Sequence, residues 1–337
     1  MRLSYRSKLM LKKLFRVLLI LLAVALVAAI IVLIYVEPYL VYDRSGAHLE
    51  FEPSTEPSVE LREPETRPVV SNPQIIYSVG DTNGAAIAEL GGYYITTSML
   101  LNPENVLAQV KDIEEPCAVM IQLKSIWGYY YYSSALPDAE QASVDVSVID
   151  ELISYLKNNG FYLIAEIPAF PDTVYALANQ SSGLPIRGGA LWMDENGCYW
   201  LDPADETVIT HLMEVARELA GLGFREVAFS NFLFPESDNI VYNSEASHSE
   251  LIAAAAAQLS GYFTGSSTVI SFVTEVTDFP ADSCSGRLYI PNVDGSRVEQ
   301  FAQAYKNADS LLELVFKASS RDTRFENRAV LRPLITE

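Results

Sequence analysis

The chain has 337 residues, half of them hydrophobic and a fifth charged, with 17 Gly, 17 Pro and only 3 Cys. That composition excludes a disordered protein, a collagen-like repeat and a disulfide-stapled miniprotein, and leaves room for one large domain or two ordinary ones. The formal charge of −20 is uneven: six basic residues and no acid fall in the first 16 positions, so the remainder carries 17 basic against 43 acidic residues. So acidic a body repels phosphate backbones, which argues against a nucleic-acid partner.

In chain order, the basic tail at 1–16 is followed by 20 residues, 17–36, without a charge or a proline. As a helix this run spans about 30 Å, the thickness of the bilayer's hydrocarbon layer. The cations before it and Glu37 after it orient the N-terminus toward the cytoplasm. A cleaved signal peptide would have a shorter apolar region ending in a small-x-small site, and none follows here. The expectation is therefore an uncleaved single-pass anchor whose partner is the lipid bilayer, with the rest of the chain outside the cell.

Residues 37–74 hold six prolines and a succession of acids, among them Glu50, Glu52, Glu56, Glu60 and Glu63. Missing backbone donors and like-charge repulsion predict an extended, poorly folded stalk.

From residue 75 the pattern becomes regular. Short β-prone or apolar runs at 93–98, 117–123, 161–167, 225–232, 268–273, 287–290, 311–316 and 329–334 read as strands. Between them lie helical stripes at 102–111, 144–156, 208–222, 249–263 and 298–305, two of which end at Gly160 and Gly223. Strand–helix alternation implies a parallel sheet with helices outside, and eight units in ~260 residues match a closed (β/α)8 TIM barrel. The alternative, an open doubly wound sheet, usually carries a Gly-rich phosphate loop after its first strand, whereas Gly91-Gly92 precede that strand here.

Residues 191–235 include Trp192, Asp194, Gly197, Trp200, Asp202 and Pro203, then Leu222-Gly223-Phe224, then Phe234-Pro235. This hairpin–helix–strand block resembles the glycoside-hydrolase-like domain family of bacterial cell-surface TIM barrels. The likeness extends to 93–97, Lys124, Ile164-Ala165, Phe170, Asp172 and the closing Arg332-Pro333. It implies a barrel that acts on polysaccharide, or descends from enzymes that do. The family's second strand ends in Asp-Val-Lys-Asp, where this chain has Gln122, Leu123, Lys124 and Ser125. Its third strand offers an Arg and later a Lys, replaced here by Glu166 and Pro171. Its fourth reads Phe-Asp-Tyr-x-Arg-Phe-Pro, and the resemblance implies that this Asp is the catalytic carboxylate. Here Ser230 stands in its place, followed by Asn231, with Leu233 for the Arg.

Glycoside hydrolysis needs two carboxyl groups flanking the scissile bond, one protonated and one ionised. A serine supplies neither. Barrel active sites lie at the C-terminal strand ends, where Glu166 and Glu275 are the one pair to nominate as relocated catalytic residues. Asp238, Asp278 and Asp294 occupy neighbouring loops. With 43 acids in the chain, two near strand ends are also expected by chance. The substrate-binding candidates are Trp127, Tyr130 and Tyr132 after the second strand, Lys124, Asp172, Trp192, Trp200, Ser230 and Asn231, since aromatic faces suit sugar rings. His48, His211 and His248 are scattered without ligand spacing, so neither a zinc site nor any other cofactor is expected. The three cysteines allow one disulfide without choosing a pair.

The expectation is a membrane-anchored pseudoenzyme that binds or scaffolds cell-envelope polysaccharide. One alternative is a working hydrolase using Glu166 and Glu275, and another is an envelope-assembly factor that binds protein.

Overall fold

In the computed structural model, the described residues are 40–43, 46–49 and 90–335, the last stretch without 285, 294, 307–312, 320, 321 and 327. The chain divides into two compact units, Met1–Val79 and Gly80–Glu337. In the first, Leu40–Asp43 pairs antiparallel with Gly46–Leu49, a short ladder inside the segment expected to be an extended, poorly folded stalk. Residues 17–36 lie outside the described residues, among which no helix is long and apolar enough to cross a membrane.

The second unit is a closed barrel of eight parallel strands. They are β1 (Gly91–Ile95), β2 (Ala118–Gln122), β3 (Tyr162–Pro168), β4 (Glu226–Ser230), β5 (Val269–Val273), β6 (Leu288–Ile290), β7 (Leu314–Lys317) and β8 (Ala329–Pro333). Each pairs with its neighbour in chain order, and β8 closes on β1 with Arg332 opposite Tyr93. Closure settles the fold as the (β/α)8 barrel rather than an open sheet. Gly91 and Gly92, expected to precede the first strand, are part of it.

Among the described residues, six α-helices surround the strands: α1 (Pro103–Lys111), α2 (Val146–Asn158), α3 (Thr173–Ala178), α4 (Glu206–Leu222), α5 (His248–Tyr262) and α6 (Val298–Ala304). Five of these starts are capped by side-chain oxygens: Asn102 for α1, Asp145 for α2, Asp172 for α3, Asp205 for α4, and Ser247 with Glu250 in a capping box for α5. Asp202, ahead of α4, accepts from the Ala204 N–H at 2.9 Å and from the Tyr242 hydroxyl at 2.8 Å. Helix α4 stops where Gly223 takes φ 111°, a left-handed conformation that a side chain would strain.

Strand alternation sorts the core into two layers. Outward residues such as Leu163, Ala165, Val227 and Phe229 pack against the helices, while Met120, Ile164, Ala228, Val315 and Leu331 fill the barrel. At the N-terminal end of the strands the interior is polar. Glu226, fully buried, accepts hydrogen bonds from Arg287 at 2.7 Å, Tyr289 at 2.9 Å and Tyr162 at 3.1 Å, with Ser271 as a further donor. Burial, reinforced by the Glu226 charge, pushes the Tyr162 phenol up to about 12. This network closes the barrel's lower end.

Candidate functional site

A cleft of about 890 Å³ opens at the C-terminal ends of the strands, where barrel active sites form. Its floor is an inward-facing layer near the top of the strands. Gln122 from β2, Glu166 from β3 and Lys317 from β7 meet there, with the Lys317 ammonium 2.5 Å from Glu166 Oε2. Gln122 donates to Glu166 Oε1 at 3.0 Å and accepts from the Thr97 backbone N–H at 3.1 Å, which locks its amide orientation. The Lys317 ammonium also lies 5.2 Å from the Tyr94 ring centre. Both oxygens of Glu166 are thus engaged by donors, and its side chain is only 5% exposed.

Ser230 ends β4 on the inward face, in register with Pro168 and therefore one inward position above the level of Glu166. Asn231 follows with φ 50°, a left-handed turn that asparagine tolerates better than most residues. That turn leaves Phe232 in the core and Leu233 at 42% exposure on the cleft wall. Glu275, just beyond β5, is exposed on the rim of the same cleft, as are Glu236 and Asp278. Asp294 lies outside the described residues.

The loop after β2 is anchored by a buried ion pair. Lys124, at the cleft floor, donates to Asp172, which caps α3 through the Tyr175 N–H at 2.8 Å. Burial pulls the Lys124 ammonium down, but Asp172 and Tyr130 outweigh it and the net shift is upward. Gly128, with φ 97°, presses this loop onto Asp172 and Val174, where a Cβ would collide with both. Beside the pair, His211 Nε2 is 3.9 Å from Asp172, but burial and the neighbouring Lys124 push the imidazole down to about 3. His211 is therefore neutral, and it stacks on Tyr175 at 4.0 Å.

The four consecutive tyrosines separate by strand alternation. Trp127, 45% exposed, and Tyr131 line the cleft. Tyr130 and Tyr132, expected to bind substrate, point the other way. Tyr130 is 2% exposed beneath Lys124, and Tyr132 is fully buried and donates to Glu218 of α4 at 2.7 Å. The structure corrects two further expectations. Trp192 and Trp200 pack edge to face with each other, 6.1 Å apart, and line no part of the cleft. Trp200 is 7% exposed, its Nε1–H donating to Asp194 at 3.0 Å, so this hairpin is packed on itself. Asp172 likewise serves as helix cap and ion-pair partner rather than as a wall of the cleft.

Lys317 on the floor and Glu236 on the rim are the charged cleft residues that sequence reasoning missed. Lys317 ends β7, where a lysine after an apolar run reads as the solvent-facing end of a strand. Among the described residues no cluster of His, Cys, Asp and Glu side chains could hold a metal ion, and Cys117, Cys198 and Cys284 are free thiols.

Residues 92–278, from β1 to the loop beyond β5, match the family model described as "putative glycosyl hydrolase domain". The chain belongs to this family. No curated protein matches it. Among solved structures it is similar to a hypothetical protein from Ruminiclostridium thermocellum, at 22% identity over 53% of this chain and 96% of that one, TM-score 0.46. It is also similar to the glycoside hydrolase domain of PelA from Pseudomonas aeruginosa (12% identity, 71% and 86% covered, TM-score 0.42). A third is the GH20 exo β-N-acetylglucosaminidase from Vibrio harveyi (12% identity, TM-score 0.48). The match covers 69% of this chain but only 41% of that enzyme.

Proposed function

We propose that this member of the family binds cell-envelope polysaccharide in its cleft without cleaving it. In this proposal residues 17–36 anchor the chain in the membrane, N-terminus inside, and the barrel lies outside the cell. The observation that carries the first part is the Glu166–Lys317–Gln122 cluster beneath Ser230. A glycosidase needs one carboxyl group able to give a proton and another able to face the anomeric centre. Glu166 has both oxygens committed to donors, and the inward end of β4 carries a hydroxyl that neither holds charge nor gives up a proton near neutral pH. The cleft retains what binding requires: depth, an exposed tryptophan and polar groups at its mouth.

The deciding experiment incubates the full chain with purified envelope polysaccharide and measures retention and reducing-end release together. Retention without release supports the proposal. Release abolished by Glu166→Gln or Glu275→Gln would establish the hydrolase alternative, which draws support from the two carboxylates lining one cleft. Retention of the full chain in the membrane fraction after carbonate washing is expected of the anchor, and its appearance as a soluble mature form would refute it.

A further inference from the structure

We infer that the cleft selects a polysaccharide bearing free amino groups, a polymer of de-N-acetylated amino sugars, over neutral N-acetylated or uronate polymers. This rests on the glycan-binding proposal above and specifies its ligand. The argument is one of charge accounting within a defined cavity. Two lysines reach the cleft floor, and both are neutralised by a buried carboxylate, Lys124 by Asp172 and Lys317 by Glu166. Three carboxylates, Glu236, Glu275 and Asp278, stand exposed on the wall, and among the described residues none of them makes an ion pair. Beside Glu275, the Arg297 guanidinium donates to the backbone carbonyl of that residue at 3.2 Å, lies against the Phe301 ring and does not line the cleft. The remaining titratable groups of the lining are His248, stacked on Phe234, and the phenols of Tyr94 and Tyr131.

The same rim carries an independent feature that suits a sugar. Trp127, Leu233 and Val276 come from three different loops and remain 45%, 42% and 47% exposed around the cleft. Apolar faces of this kind accept the C–H surface of a pyranose ring. Carboxylates set between them accept ammonium groups and repel uronates, so sign discrimination is built into the opening where the ligand is desolvated least and steered most.

The test measures binding of three oligosaccharide hexamers to the full chain in mild detergent, at about pH 6 where carboxylates are ionised. The probes are a glucosamine hexamer, its fully N-acetylated counterpart and a galacturonate hexamer. The expected result is the glucosamine hexamer bound roughly tenfold more tightly than the N-acetylated one, with the preference shrinking as salt is raised. The triple variant Glu236→Gln, Glu275→Gln, Asp278→Asn should abolish the preference, and its exposed positions leave the fold intact. Equal or tighter binding of the N-acetylated hexamer, or a preference unchanged in the triple variant, would overturn this inference while leaving glycan binding standing. Tightest binding of the galacturonate hexamer would overturn it as well. Binding of none of the three would overturn both.

Discussion

Glu166 and Lys317 stand on β3 and β7, four strands apart in a ring of eight, so their ion pair crosses the barrel from wall to wall. Neighbouring-strand pairs only reinforce a ladder that backbone hydrogen bonds already hold. A pair across the diameter instead fixes the top of the interior, and here it does so at the position where the ligand cleft begins. With side chains 5% and 7% exposed, each charge depends on the other for its solvation.

Removing one partner strands the other. Lys317→Met is expected to destabilise the barrel by about 3–5 kcal/mol, because a buried carboxylate is left with the Gln122 amide alone. Adding Glu166→Gln to that variant should recover much of the loss, as measured by urea denaturation. A single variant as stable as the parent would mean the pair contributes no net stabilisation.

Trp127 is the aromatic side chain that the loop after β2 presents to the cleft with its face uncovered. Trp127→Ala is expected to weaken retention of envelope polysaccharide by roughly two- to tenfold, the range for loss of one aromatic stack. Thermal stability should stay unchanged, since the residue is nearly half exposed. Titration calorimetry against the retained glycan checks this.

His211 predicts an acid-sensitivity with a definite sign. Its pKa is about 3 when folded and near the usual 6.5 when unfolded, so between these values the unfolded chain binds the extra proton. Stability therefore falls as pH drops through this window, by up to about 1.4 kcal/mol per pH unit from this group. His211→Phe keeps the stack on Tyr175 and should show a shallower slope below about pH 6.5 in denaturant melts. Parallel slopes would show that the imidazole titrates normally in the fold.

The Trp192–Trp200 hairpin offers a contrast. Asp194 accepts from Trp200 Nε1, from the Asn196 N–H at 2.9 Å and from the Cys198 N–H at 2.9 Å. Asp194→Ala should cost about 1–3 kcal/mol by leaving these donors without their acceptor, with glycan affinity unchanged. Lost affinity at full stability would put the hairpin in the binding surface after all.

The eight strands were legible because each is a short apolar run between helical stripes, and their ends differ from expectation by only a few residues. Helix α3 escaped notice for a physical reason: six residues make too few turns to show a stripe, although Asp172 before Thr173 is a capping signal. The floor of the cleft was harder. A parallel strand buried on both sides shows no alternation, and all of 163–168 is buried, so which residues face the barrel could not be read from β3 itself. Only the closed ring shows that Glu166 looks across at Lys317. Tyr129 to Tyr132 carry the opposite lesson, since alternation by two should have sent Tyr130 and Tyr132 to the side away from Tyr129 and Tyr131.

The Glu226 network beneath the barrel has a topological effect on whatever occupies the other end. With Arg287, Tyr162 and Tyr289 gathered on one carboxylate and Met120, Ile164 and Val315 stacked above, the cylinder is corked. A long polymer cannot thread it. If the upper cleft binds a glycan as proposed, that guest arrives and departs by one door, as a chain terminus or as a segment draped across the threshold.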